Sequence, residues 1–202
     1  MIIRVLFYII GLAITSFGVS FTIKANLGAG AWDALNVGLS NIIGFTVGTW
    51  VIFVGVILII INALMLKQRP EYLAVIPIFI MGPLIDFWLI IVFPTWQPEG
   101  FFYQLSILLS GLICLSLGIS TYLQAKFPLI PIDNFMVALR ARLPVNLGVA
   151  KTIGELTALV LALLFKGPIG VGTIIVTFLI GPLIQLFFPK LEALLKKLTP
   201  SH

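Results

Sequence analysis

The chain carries very little charge: 9% of its 202 residues are Asp, Glu, Lys or Arg, against roughly 25% in an average soluble domain. With 60% hydrophobic residues, a soluble fold of this size would expose apolar patches well beyond the roughly 300–600 Å² that soluble monomers carry. A hydrocarbon solvent removes that difficulty. Histidine is almost missing too. The single one, His202, is terminal, which excludes a histidine-based metal cluster or triad inside the fold. A lone cysteine, Cys114, excludes an intramolecular disulfide and a Cys-X-X-Cys pair. GAGA at Gly28 and GVGT at Gly170 lack the strand that a phosphate-binding loop follows. No enzyme, cofactor or metal is therefore expected, nor ATP-driven transport by this chain alone. The net charge of +5 would suggest nucleic acid in a soluble protein. Here the basic residues form no patch interleaved with aromatics, so the expected partner is the lipid bilayer.

What is present in abundance is long apolar stretches. About 20 apolar residues cross the ~30 Å hydrocarbon layer as a helix. Six stretches qualify, at about 5–24, 47–66, 72–93, 102–124, 147–165 and 172–188. Two more, at about 31–43 and 132–143, are apolar but short, and read as half-helices that dip in or lie at the surface. With six spans and a cytoplasmic N-terminus, Arg4, Lys67, Arg69, Lys126, Arg140, Arg142, Lys190, Lys196 and Lys197 fall on the cytoplasmic side. Only Lys24 and Lys166 fall opposite, while Lys151 lies within a span. That split obeys the positive-inside rule. Letting the short segments span would spoil it.

The sequence also repeats itself. Shifted by about one hundred residues, GLAITSFGVS from Gly11 meets GLICLSLGIS from Gly111, Asp33 meets Asp133, and Gly48 meets Gly148. MGPLIDF around Gly82 and Pro83 meets IGPLIQL around Gly181 and Pro182. Each half holds three spans, an odd number, so the second enters from the opposite face. The expected fold is an all-α membrane protein with six transmembrane helices and two half-helices, arranged as two inverted-topology three-helix repeats. Residues 1–97 form the first repeat, 98–190 the second, and 191–202 a basic amphipathic cytoplasmic tail.

Acids inside a bilayer are costly, and are kept mainly where they face other helices or a wet cavity. Asp33 and Asp133 occupy equivalent places, just inside short segments interrupted by Gly28, Gly30, Pro128 and Pro131. Such paired interruptions point to a transporter's site, with Trp32 and Asn134 beside the acids. N-terminal helix capping explains the two aspartates as well. Asp86 follows the Gly82–Pro83 helix breaker and has Gln185 as its counterpart. It suits a cation or proton site, or a hydrogen bond to Gln185 or Asn62 that ties helices together. Glu155 stands one turn after Lys151, so the two can pair on one helix face. That pair is either structural or a proton or cation site with an internal counter-charge. Small residues Gly11, Ser16, Gly18 and Ser20, repeated at Gly111, Ser116, Gly118 and Ser120, suit close packing of the first helices of the two halves.

The segments LGAGAWDALNVGLS, GFTVGTW, KTIGE and GVGTIIVTFLIGPLIQ resemble the YczE/YyaS/YitT family of bacterial membrane proteins, over about residues 5–189. Trp32, Asp33, Gly38 and Leu39 match the family's first-half stretch, with Ala31 in place of its proline. PIDN at Pro131 departs from the usual Gly-rich second-half version. The resemblance implies a bacterial inner-membrane protein and supplies neither substrate nor catalytic residue. The reading that fits best is a small secondary transporter or permease of a small molecule or ion, its site between the repeats. A non-transporting scaffold or regulator of a partner is the alternative, and a homodimer or protein partner stays open.

Overall fold

In the computed structural model, residues 1–145 and 147–199 are described, those at 147 and 148 by backbone alone. His202 lies outside them. Eight α-helices account for most of the described residues: α1 (Ile2–Lys24), α2 (Ala31–Ile43), α3 (Val47–Leu66), α4 (Val75–Asp86), α5 (Phe101–Gln124), α6 (Pro131–Arg142), α7 (Leu147–Leu164) and α8 (Val171–Leu198). A 3₁₀ turn, Tyr72–Ala74, leads into α4, and a π-helical segment, Phe87–Val92, continues it. No strand occurs among the described residues. Helices keep every backbone N–H and C=O bonded within one segment, which is what an apolar solvent demands.

Among the described residues, five helices are long and apolar enough to cross a membrane: Ile2–Lys24, Val47–Leu66, Tyr72–Val92, Phe101–Gln124 and Val171–Leu198. The sixth expected span falls on α7, which is not among the five and begins at residues described by backbone alone. Large apolar side chains such as Phe102, Leu64, Ile91 and Phe178 stand well exposed, as a chain solvated by lipid allows. Corrections to the expected boundaries are small. The third stretch is not one α-helix but passes from 3₁₀ through α to π geometry after Pro83, a proline that withdraws a backbone donor. The basic tail is no separate element, because α8 continues through Pro182 and Pro189 to Leu198.

Both halves run in the same order: a long helix, a short one, a long one and a last long helical stretch, which is Tyr72–Val92 in the first half and α8 in the second. They also turn alike. Asn26 and Lys126, just beyond α1 and α5, are left-handed, and so are Lys67 and Lys166 beyond α3 and α7. The most extensive packing is between α1 and α5. A Cβ on Gly11 would lie 2.5 Å from Tyr122 N, and one on Gly118 2.5 Å from Thr15 N. The small-residue faces thus bring the two backbones into contact, as their spacing predicts. Each short helix packs on the third helix of the other half, α2 on α7 and α6 on α3.

Two apolar clusters result. One gathers Leu12, Val19, Leu108, Leu115 and Ile180 around the α1–α5 seam. The other gathers Ala31, Trp32, Leu35, Phe135 and Ala158 around the short helices. The space between the clusters is where the acids meet.

The halves differ in one respect. α3 and α4 pack tightly, and a Cβ on Gly82 would lie 2.6 Å from Gly48 O. Asp86 secures that contact: it accepts from Thr46 Oγ1 at 2.5 Å and from Gly48 N at 2.8 Å. The carboxylate thereby satisfies an N-terminal donor of α3 from a neighbouring helix. In contrast, α7 and α8 barely touch among the described residues, and no described atom lies within 4 Å of a Cβ on Gly181. Asp86→Ala is expected to cost about 1–2 kcal/mol, read as a lower melting temperature of purified protein. An unchanged melting temperature would mean the clasp adds nothing.

Candidate functional site

Where the N-terminal ends of α2 and α6 approach each other, a cavity of about 90 Å³ lies between the two clusters. Asp33 enters from α2, Asp133 from α6, Glu155 and Lys151 from α7, and Trp32, Asn36 and Thr15 complete its polar and aromatic wall. Apolar atoms make up most of the remaining lining, from Met81, Ile85 and Val176 among others. A groove of about 410 Å³ runs between α5, α6 and α8 and shares Ile119, Asp133 and Lys151 with the cavity.

Local sequence explains the placement. Asp33 and Asp133 are each the third residue of their helix, so neither is the N-cap; those positions are Gly30 and Ile130, without side-chain cap bonds. The capping explanation is therefore replaced by a milder one, a carboxylate in the first turn facing the positive helix end. Gly30 keeps the space beside Asp33 open, since a Cβ there would lie 3.1 Å from Asp33 Oδ2. Gly28 has φ +100 and its Cβ position would fall 2.4 Å from Gly170 N. Only glycine lets this loop turn and touch the α7–α8 loop, where Gly172 N donates to Leu27 O at 2.7 Å. In the second half the corresponding loop is held differently. Pro128 O accepts from Tyr8 Oη at 2.8 Å, and Pro131, the first residue of α6, accepts from Asn62 Nδ2 at 2.9 Å.

The acids have unequal surroundings. Asp133 is buried and accepts a short hydrogen bond from the Tyr122 hydroxyl. Glu155 is buried and pairs with Lys151 at 3.6 Å, as the four-residue spacing predicts. It lines the same cavity as both aspartates. Asp33 has no hydrogen bond or ion pair among the described residues. Asn36, 1% exposed, presents an Oδ1 with no partner. Trp32 packs edge-on to Phe135 with ring centres 5.9 Å apart.

Several expected site residues lie elsewhere. Asp86 belongs to the α3–α4 clasp beside a separate groove of about 340 Å³, and its partners are Thr46 and Gly48, not Gln185 or Asn62. Asn134 turns outward and donates to Glu71 Oε2 at 3.2 Å. Gly82 and Pro83 serve the clasp and the helix change, whereas Gly181 lines the open groove and Pro182 lies within α8. Asn36 and Thr15 line the cavity without having been singled out in the sequence. Asn36 stands three residues after Asp33, on the same helix face, and that spacing is the signal that locates it. No group of three or more metal-ligating side chains occurs among the described residues.

Residues 2–189 match a protein family described as a family of unknown function, DUF6198. The chain belongs to this family. It is 40% identical over 189 residues to the uncharacterized protein YyaS of Bacillus subtilis (strain 168), covering 94% of each chain. It is 31% identical over 191 residues to the uncharacterized membrane protein YczE of the same organism, covering 94% of this chain and 87% of that one. An uncharacterized protein of Haemophilus influenzae is 25% identical over 182 residues, covering 87% and 79%. No solved structure matches. The expected likeness to YyaS and YczE is thus shown, and with the five apolar spans it makes this a membrane protein; the YitT part of the resemblance finds no support in these matches.

Proposed function

We propose that the protein is a small secondary transporter of the bacterial inner membrane, with both termini cytoplasmic. In this reading α7 is the sixth span. Residues 1–97 and 98–190 are inverted repeats, and the two short helices dip into the membrane from opposite faces. Matching element order, matching left-handed turns and the distribution of basic residues support it. The observation that carries the reading is the acid-lined cavity between the halves, adjoined by a groove with which it shares the lining residues Ile119, Asp133 and Lys151. A carrier needs a site of this kind and performs no covalent chemistry at it. The asymmetry fits as well: the Gly48–Gly82 contact closes one side and the groove at Gly181 opens the other. Exchanging those two arrangements would move the site's access across the membrane.

A scaffold would be expected to have a dry midplane with its buried acids paired. Asp33 and Asn36 Oδ1 speak for the carrier. The test is uptake of small solutes and ions into proteoliposomes, with Asp33→Asn, Asp133→Asn and Glu155→Gln alongside. Loss of uptake by at least about tenfold in folded Asp33→Asn, the size of one charged contact, is the expected result. Flat traces from folded wild-type protein across a broad panel would leave the scaffold.

A further inference from the structure

The polar groups of the cavity differ in whether they are already committed. Thr15 Oγ1 donates to Gly11 O at 2.7 Å, the Tyr122 hydroxyl donates to Asp133, and Lys151 is engaged by Glu155. Among the described residues two acceptors are left over, the Asp33 carboxylate, without a partner, and Asn36 Oδ1, buried and unpaired. The Trp32 indole N–H and the Asn36 amide N–H groups are the uncommitted donors beside them, and only the carboxylate carries charge. An unpaired buried acceptor costs about 1–3 kcal/mol unless something donates to it. Charge points the same way. Three carboxylates face one ammonium, that of Lys151, so the acidic groups of the wall outnumber its basic one.

A bare metal ion does not suit this wall, since hard cations ask for about six oxygen ligands and most of the lining is apolar. An ammonium group does. It needs few acceptors, tolerates apolar contact, and gains from an aromatic neighbour such as Trp32. The cavity of about 90 Å³ admits a small head, while the groove, walled by Leu123, Met136, Ile184 and Phe188, offers an apolar surface for a body.

We infer that the site takes a monovalent organic cation, a protonated or quaternary amine with an apolar body, its ammonium set against Asp33 and Asn36 Oδ1 and its body along the α5–α6–α8 groove. This rests on the carrier reading and names its substrate class. Gly30 is then a specificity residue, since its missing side chain leaves the space beside Asp33 where the head would sit.

The experiment is titration of the full chain in lipid nanodiscs with alkyltrimethylammonium ions from methyl to hexyl, followed by calorimetry. Alkylsulfonates and alkanols of equal length serve as anionic and neutral counterparts, and all three classes are offered to proteoliposomes. The cations are expected to bind saturably, tightening about two- to fourfold per methylene as apolar surface is buried. Anions and alcohols are expected not to bind. Asp33→Asn should weaken binding at least about tenfold, Asp33→Glu should retain most of it, and Gly30→Val should abolish it in protein that still melts cooperatively. Acidification should weaken binding, because protons compete for the same carboxylates. Anions or alcohols binding as well as the cations, or cation binding indifferent to Asp33→Asn and Gly30→Val, would overturn the inference and leave the carrier reading standing. No binding by any class, together with no uptake of any solute, would overturn both.

Discussion

Gly18→Leu is expected to abolish folding or cost about 3 kcal/mol or more, seen as lost monodisperse protein or a sharply lower melting temperature. A Cβ at Gly18 would lie 2.4 Å from Leu115 N, 2.8 Å from Gly111 O and 2.8 Å from Leu115 Cα. All three are backbone atoms, so no side-chain rotation can make room. α1 and α5 would have to separate along their length, and overpacking of this kind typically costs about 1–3 kcal/mol even where side chains can yield. Leucine is the better helix former by roughly 0.8–1 kcal/mol, which is too little to offset the clash. Gly181→Leu is the control. No described atom lies within 4 Å of a Cβ there, so the same exchange should be neutral or slightly stabilising. Equal tolerance at both positions would mean that α1 and α5 do not meet as described.

The second large effect concerns the ion pair inside α7. Lys151→Met should destabilise the protein by about 3–5 kcal/mol, because it leaves the Glu155 charge buried and uncompensated. Lys151→Met with Glu155→Leu should recover most of that loss, since replacing a buried pair with apolar residues is commonly neutral or stabilising. Melting temperatures of the two single variants and the double variant in one detergent give the coupling directly. Uptake separates structure from function. If Glu155 serves the carrier, the double variant is stable and inactive; if the pair is only structural, stability and uptake return together.

Much of the fold is legible in the sequence because a bilayer asks for long uninterrupted apolar helices, and length with composition is enough to find them. The α1–α5 seam was equally readable, since Gly11 and Gly18 have counterparts at Gly111 and Gly118 and small residues at that spacing serve close approach. Partners across the structure were not readable. Asp86 finds Thr46 and Gly48 because the Gly82 contact brings the start of α3 beside it, and no local pattern announces that contact. Asn134 faces Glu71 rather than the cavity because one residue along a helix is a turn of about 100°, which is enough to leave the face that holds Asp133. Asn36 is hidden for the converse reason. It is uncharged and has no matching polar residue in the second half, where Met136 stands, so the repeat of acids does not mark it. The clasp and the open groove could not be foreseen either, because the Gly-Pro motif is the same in both halves and only the packing tells them apart.

The α1–α5 seam has a mechanical consequence. Most of its hydroxyl groups bond within their own helices: Thr15 donates to Gly11 O, Ser20 to Ser16 O, Ser116 to Leu112 O and Thr121 to Leu117 O, while Ser120 donates to Ile184 O of α8 at 3.4 Å. Among the described residues, no hydrogen bond joins one helix of the seam to the other. The two helices are held by close van der Waals contact between smooth glycine faces, and small relative rotations break no directional bond. The seam thus resists separation through shape alone, and its two helices are joined by no directional bond among the described residues.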